Sequence, residues 1–185
     1  SDEAAAQTGR WLKAVNRAAY RASIDLAAEK GAFPLFDAEV YVGTEAISAL
    51  EADLKAEIAE KGVRNALLTS IAPTGTISLL AGNVSSGIEP VFAHSYTRKV
   101  LQPDGQRTEE EVVDYAVALW REKMGDAPFP DHFVTAQSLT PDDHVKMQAA
   151  AQPYVDSSIS KTINCPADIS FEAFNWTVVS QILAC

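Results

Sequence analysis

Cysteine is almost missing from this chain. Two occur in 185 residues, Cys165 and Cys185, which is no disulfide framework, and their spacing fits no zinc site. Basic residues are also few. Fifteen Lys and Arg stand against 25 Asp and Glu, a formal net charge of −10. That excludes the broad basic surface on which nucleic-acid binding depends, although one small positive pocket for a nucleotide's phosphates stays compatible with it. Long apolar runs are absent too, so no bilayer-crossing segment and no membrane partner is expected. Residues 1–6 are small and acidic, without the apolar centre of a signal peptide, and the expected compartment is the cytoplasm. The three histidines, His94, His132 and His144, stand isolated in sequence with no ligand spacing, so no metal site is expected.

What remains is an ordinary globular composition, 47% hydrophobic and 22% charged, read as a single domain over residues 1–185. The chain is organised around Arg64 to Pro90. Ala66 to Ile71 reads as a short strand, Pro73 breaks it, and Thr74-Gly75-Thr76 turns into the brief apolar run Ile77 to Ala81. A Gly/Ser-rich loop, Gly82 to Pro90, closes the stretch. A strand that ends in Pro-Thr-Gly-Thr and opens a helix suits an anion, because glycine lets the backbone approach and the first N–H groups of the helix lack partners. The alternative is an ordinary strand-to-helix turn capped by Thr76.

Elsewhere, spacing predicts a helix over Thr8 to Lys30 with an inward stripe of Trp11, Val15, Ala18, Ala22 and Leu26. Phe33 to Phe36 is an apolar linker expected to pack on the core. A second helix is predicted from Thr44, as N-cap, to Lys61-Gly62, burying Ile47, Leu50, Leu54 and Ile58, with Glu51, Asp53, Lys55, Glu57 and Glu60 on a solvated face. Tyr96 to Val100 alternates like a half-exposed strand, and Gln102-Pro103-Asp104-Gly105 signals a turn. Thr108 with Glu111 reads as a capping box opening a helix to Met124, with Val112, Tyr115, Leu119 and Trp120 inward. Further helices are expected from Pro141 to near Gln152 and from Ser170 to Ala184, with a strand over Ser157 to Ile163 between them. Helices and strands in this order describe an α/β fold.

The letters Thr69-Ser70-Ile71-Ala72-Pro73-Thr74-Gly75-Thr76-Ile77-Ser78, followed by Ser85-Ser86-Gly87-Ile88-Glu89-Pro90, resemble the late catalytic region of ribonucleotide reductase large chains, nearest to the adenosylcobalamin-dependent class II type. Three further blocks agree in order: Arg21-Ala22-Ser23 with Glu29-Lys30-Gly31, then Glu110 to Tyr115, then Val155 to Asn164. The resemblance runs to about Phe174, and from Asn175 the sequence departs from the family pattern. It implies a partial, C-terminal section of the ten-stranded α/β barrel of these enzymes, with helices covering a few strands. It implies that Pro73, Thr74, Gly75, Thr76, Ile77 and Ser78 bind substrate phosphates through backbone N–H groups and hydroxyls, with Ser85, Ser86, Gly87 and Glu89 near the pocket. The Ser160 to Asn164 segment resembles a late barrel strand.

The same resemblance implies adenosylcobalamin as cofactor of the whole enzyme and the reduction of ribonucleotides to deoxyribonucleotides as its reaction. The family's radical-forming and reducing cysteines lie in motifs that no segment here matches, so no catalytic residue is carried over to this chain. A partner bearing them is implied: the N-terminal part of the reductase, or a second reductase chain. The alternatives are a stand-alone nucleotide-binding module and an inactive structural remnant. Cys165 reads as a small buried hydrophobe. Glu89 reads as an acid–base group or as a hydrogen-bond acceptor for loop backbone. Arg98 and Lys99 read as phosphate-facing charge or as the wet face of a strand. A severed barrel exposes strand edges and apolar faces, so a homo-oligomer is expected of the chain in isolation.

Overall fold

The computed structural model describes residues 2–183. Cys185, and the end of the last predicted helix at Ala184, lie outside the described residues. Backbone contacts divide the described chain into two compact units: residues 2–71 with 145–159 and 180–183, and residues 72–144 with 160–179.

In the first unit, α1 (Asp2–Lys30) turns a different face inward from the one the alanine stripe predicts. Asn16, Tyr20, Ser23, Ile24 and Ala27 are buried, whereas Trp11 and Val15 are 65% and 54% exposed. Both faces have helical spacing. The buried one is favoured because its polar members find partners: Asn16 Nδ2 donates to the Tyr154 carbonyl (3.2 Å), Tyr20 Oη to Asp156 (3.0 Å), and Ser23 Oγ accepts from the Asn65 N–H (3.2 Å).

The predicted helix from Thr44 is broken in two. A short α2 (Ala38–Val42), capped by Asp37 through the Val40 N–H, precedes it. Then α3 (Glu45–Ser48) and α4 (Ala52–Lys61) are separated at Ala49–Glu51. Thr44 is the N-cap residue of α3, but its hydroxyl donates to the Tyr41 carbonyl (2.8 Å) and caps no helix N–H. Glu51, Asp53 and Glu57 pair with Arg17 and Arg21 of α1, so the face predicted as solvated also carries an ion-pair network. Gly62 ends α4 at φ +75°, where a Cβ would come within 2.8 Å of Ala32 Cβ, so only glycine fits. Tyr20, Ile24, Ile47, Leu54, Ile58 and Val63 form the core, and Phe33, Phe36 and Leu50 pack on it as expected.

Two predicted strands, Ala66 to Ile71 and Ser157 to Ile163, shrink to one parallel bridge between Ile71 and Ile159. The Ile71 N–H donates to Ser158 (3.2 Å) and the Ser157 N–H to Thr69 (3.1 Å). Beyond that rung, side chains take up the backbone groups a ladder would use. Asp156 accepts from the Leu68 N–H (2.7 Å), and Thr69 Oγ1 accepts from the Asp156 N–H (3.1 Å).

The second unit begins with α5 (Thr76–Leu80), whose N-cap residue is Gly75 and not Thr76. Strands β1 (Ser95–Leu101) and β2 (Arg107–Val113) form an antiparallel hairpin across the predicted turn. This overturns the capping box at Thr108. Once the turn folds Arg107 back onto Leu101, Arg98 faces Glu110, Lys99 faces Glu109, and Tyr96 faces Val112. Such cross-strand pairs favour a strand where local helix signals alone do not. The helix α6 (Tyr115–Met124) starts later, capped by buried Asp114, which accepts from the Val117 N–H (3.1 Å). Val117 is its buried residue, and Tyr115 is exposed.

The chain then forms α7 (Pro141–Ala151), where Thr140 and Asp143 cap each other's N–H groups, followed by a tight 3₁₀ turn at Gln152–Tyr154 and α8 (Phe171–Leu183). Among the described residues the fold mixes helix and strand, and its sheet is open and two-stranded.

Candidate functional site

A cleft of about 720 Å³ opens in the second unit, a size suited to a small organic ligand. Gly75, just before α5, and Ser78, within it, line one part of the wall. The following loop supplies Asn83, Ser85, Ser86 and Glu89, β1 supplies Tyr96 and Arg98, and Thr162 and Asn164 complete the wall.

The two loops are joined directly. The Thr74 N–H donates to the Ser86 carbonyl at 2.7 Å, and Thr74 Oγ1 donates to the same oxygen at 3.2 Å. Ser78 is buried, and its hydroxyl donates to the Gly75 carbonyl at 2.7 Å. Thr74 and Ser78 therefore spend these donors on shaping the turn. Gly75 sits at φ +52°, a region that favours glycine, and a Cβ there would meet nothing within 4 Å. Among the described residues no acceptor takes the N–H of Gly75 or Thr76. Pro73, Thr74, Thr76, Ile77 and Gly87 lie outside the cleft wall, and Ile77 is exposed.

Asn83 organises the back of the cleft at φ +59°. Its N–H donates to Ser78 (2.9 Å), its Nδ2 to Val113 (3.0 Å), and its Oδ1 accepts from Tyr96 Oη (3.4 Å). Asparagine tolerates that backbone better than other non-glycine residues, so the position is locally reasonable. Arg98 brings a positive group to the wall, whereas Lys99 pairs with Glu109 at 3.5 Å outside it.

Below the wall lies a buried charged cluster. The Lys161 side chain is 1% exposed. Its Nζ donates to Glu89 Oε1 (3.2 Å), to His144 Nδ1 (2.8 Å) and to the Thr162 carbonyl. The same Glu89 oxygen accepts the Thr162 N–H. His144 is fully buried, and its Nε2 lies 3.2 Å from the Ala136 carbonyl. The arrangement is satisfied when Nε2 carries the proton and Nδ1 accepts from the ammonium.

Burial lowers the pKa of His144, and the adjacent Lys161 charge lowers it further. Burial also lowers Lys161, with the Glu89 hydrogen bond and charge opposing. Burial alone would raise Glu89, but the Thr162 N–H, a further backbone hydrogen bond and Lys161 together leave its carboxyl below the usual range. Glu89 thus acts as a hydrogen-bond acceptor for neighbouring backbone. Residue spacing missed Lys161 and His144. The one available signal was that Lys161 sits within an otherwise uncharged, strand-like segment, Ser157 to Ile163.

The family model described as ribonucleotide reductase, barrel domain, matches residues 1–180. The chain belongs to the ribonucleotide reductase barrel-domain family. It is 35% identical to the vitamin B12-dependent ribonucleoside-diphosphate reductase of Mycobacterium tuberculosis, over 90% of this chain and 24% of that protein. It is 34% identical to the protein of the same name from Thermoplasma acidophilum, over 85% of this chain and 21% of the relative. A ribonucleoside-diphosphate reductase subunit alpha from Treponema pallidum is 35% identical over half of this chain and 12% of its own length. The reductase barrel-domain chain thus spans about a quarter or less of the relatives it matches.

Proposed function

We propose that this chain is the substrate-phosphate-binding section of a B12-dependent ribonucleotide reductase and forms part of its ten-stranded barrel. Its remaining partner, in the same polypeptide or a second one, carries the radical-forming and reducing cysteines. The observation that carries the reading is the Thr74–Ser86 tie, which joins the turn bearing Gly75 and Ser78 to the loop bearing Ser85, Ser86 and Glu89, all on one cleft with Arg98. The N–H groups of Gly75 and Thr76 are available to phosphate oxygens. Arg98 supplies charge, and Ser78, through its bond to Gly75, holds the turn that presents those donors. The relatives' names favour a ribonucleoside diphosphate as substrate.

Adenosylcobalamin supplies the radical-generating chemistry in the whole enzyme. A corrin ring with its nucleotide tail is much larger than this cleft of about 720 Å³. The cofactor does not fit here, and no step in this chain is routed through it. The cytoplasm remains the proposed compartment; no described helix is long and apolar enough to cross a membrane.

Titration calorimetry with a ribonucleoside diphosphate, on the chain and on its Gly75→Val variant, tests the loop. Saturable binding that Gly75→Val weakens at least tenfold is expected, since a β-branched residue at φ +52° forces the turn to rearrange. Equal heats for a folded variant remove the loop from the site. Deoxynucleotide formation on mixing with a matching N-terminal reductase chain, cobalamin and reductant would distinguish a working reductase section from a binding module or a remnant.

A further inference from the structure

The cluster under the cleft is more expensive than a wall requires. An ion pair removed from water is often no more stabilising than apolar side chains filling the same volume. Lys161 and Glu89 are nevertheless joined at 3.2 Å, with Lys161 at 1% exposure. What the ions supply, and apolar packing would not, is direction. Glu89 belongs to the loop that Thr74 holds through Ser86, and Thr162 lines the same cleft from a segment 73 positions away. One Glu89 oxygen receives both the Lys161 ammonium and the Thr162 N–H. The ammonium donates in turn to the Thr162 carbonyl, so both backbone groups of that residue are fixed. His144 takes the remaining ammonium proton through Nδ1, and the Ala136 carbonyl fixes its tautomer through Nε2. All three N–H bonds of the ammonium are thereby used.

We propose that Lys161 and Glu89 are a positioning pair, locking the Ser85–Glu89 loop to Thr162 so that the cleft has the spacing an anionic, phosphate-bearing ligand requires. The inference rests on reading the cleft as an anion site. It gives a carboxylate on the wall of such a site a purpose that direct contact would not, since a free carboxylate there repels the ligand. Lys161 neutralises that repulsion and contacts no ligand itself.

The sign of one substitution separates the two roles. Calorimetry with inorganic pyrophosphate and a ribonucleoside diphosphate would be run on the chain, on Glu89→Gln, on Lys161→Met and on the double variant. A positioning pair predicts that each single change weakens binding about tenfold, and that the double variant is no weaker than the worse single one. Were Glu89 only a charge on the wall, Glu89→Gln would tighten binding of the anion, and that result overturns the proposal.

Hydrogen exchange at the Thr162 amide reads the lock without any ligand. Protection should fall in Glu89→Gln and in Lys161→Met, and protection unchanged in Lys161→Met overturns the pair whether or not a probe binds. A folded wild-type chain that binds neither probe refutes the anion site alone, and exchange at Thr162 then decides the pair.

Discussion

His144 has to stay neutral for the buried cluster to hold, because its Nδ1 faces the Lys161 ammonium at 2.8 Å. The charged groups around it are buried Lys161, Glu89 on the cleft wall and Asp143 beside it on α7. Its native pKa lies below the ordinary value, so the unfolded chain binds the proton more readily than the folded one. Stability from this site is therefore complete above about pH 6.5 and is lost as pH falls through the lowered native value. Glu89, also lowered, adds a loss of the same sign starting near pH 4.5. Denaturant midpoints measured from pH 8 to pH 4 should decline, and His144→Gln should flatten the upper part of that decline. A wild-type curve flat from pH 7 to 5 would dissociate His144 from stability. Neither Lys161 nor His144 was legible as a site residue beforehand. Lys161 meets its carboxylate 72 positions away and its imidazole 17 positions away, distances over which spacing carries no information. The Gly75 turn was legible because its chemistry is local.

At the level of elements, the helices were read well where their end signals were local. Pro141 opens α7, and Gly62 and Gly125 end α4 and α6. Where two local patterns overlapped, tertiary partners chose between them. Thr108-Glu109-Glu110-Glu111 satisfies a helix start, yet pairing with Ser95–Leu101 claims it for β2 and passes the cap to Asp114. Asp114→Ala should cost about 1 kcal/mol by chemical denaturation, with Asp114→Asn retaining most of the stability. A loss within error for the alanine variant would mean that the Val117 N–H finds another acceptor. The predicted strands at Ala66–Ile71 and Ser157–Ile163 failed for a different reason. An apolar run specifies that a segment is extended, but a ladder needs a neighbour along its whole length, and these two share one rung.

For the molecule as a whole, the exposed apolar side chains are the informative excess. Trp11 and Val15 on α1, Phe171 and Trp176 on α8, and Phe92 at the cleft all face outward. Under the function proposed above, the remainder of the barrel would cover such surfaces. Alone, the chain should self-associate: sedimentation at rising concentration should show dimers or larger species, and adding the proposed N-terminal reductase section should displace them. A sharp monomer throughout would argue against it.

The Ile71–Ile159 bridge also constrains the order in which the chain can fold during synthesis. The first unit is discontinuous, and residues 72–144 intervene before its last strand-like piece emerges. Closing a flexible loop of that length costs on the order of 4 kcal/mol, so local structure formed early within residues 72–144, such as the β1–β2 hairpin, would shorten the effective loop and lower that cost. On the ribosome, the helical part of the first unit would therefore wait with Leu68 and Thr69 unpartnered until Asp156 leaves the exit tunnel.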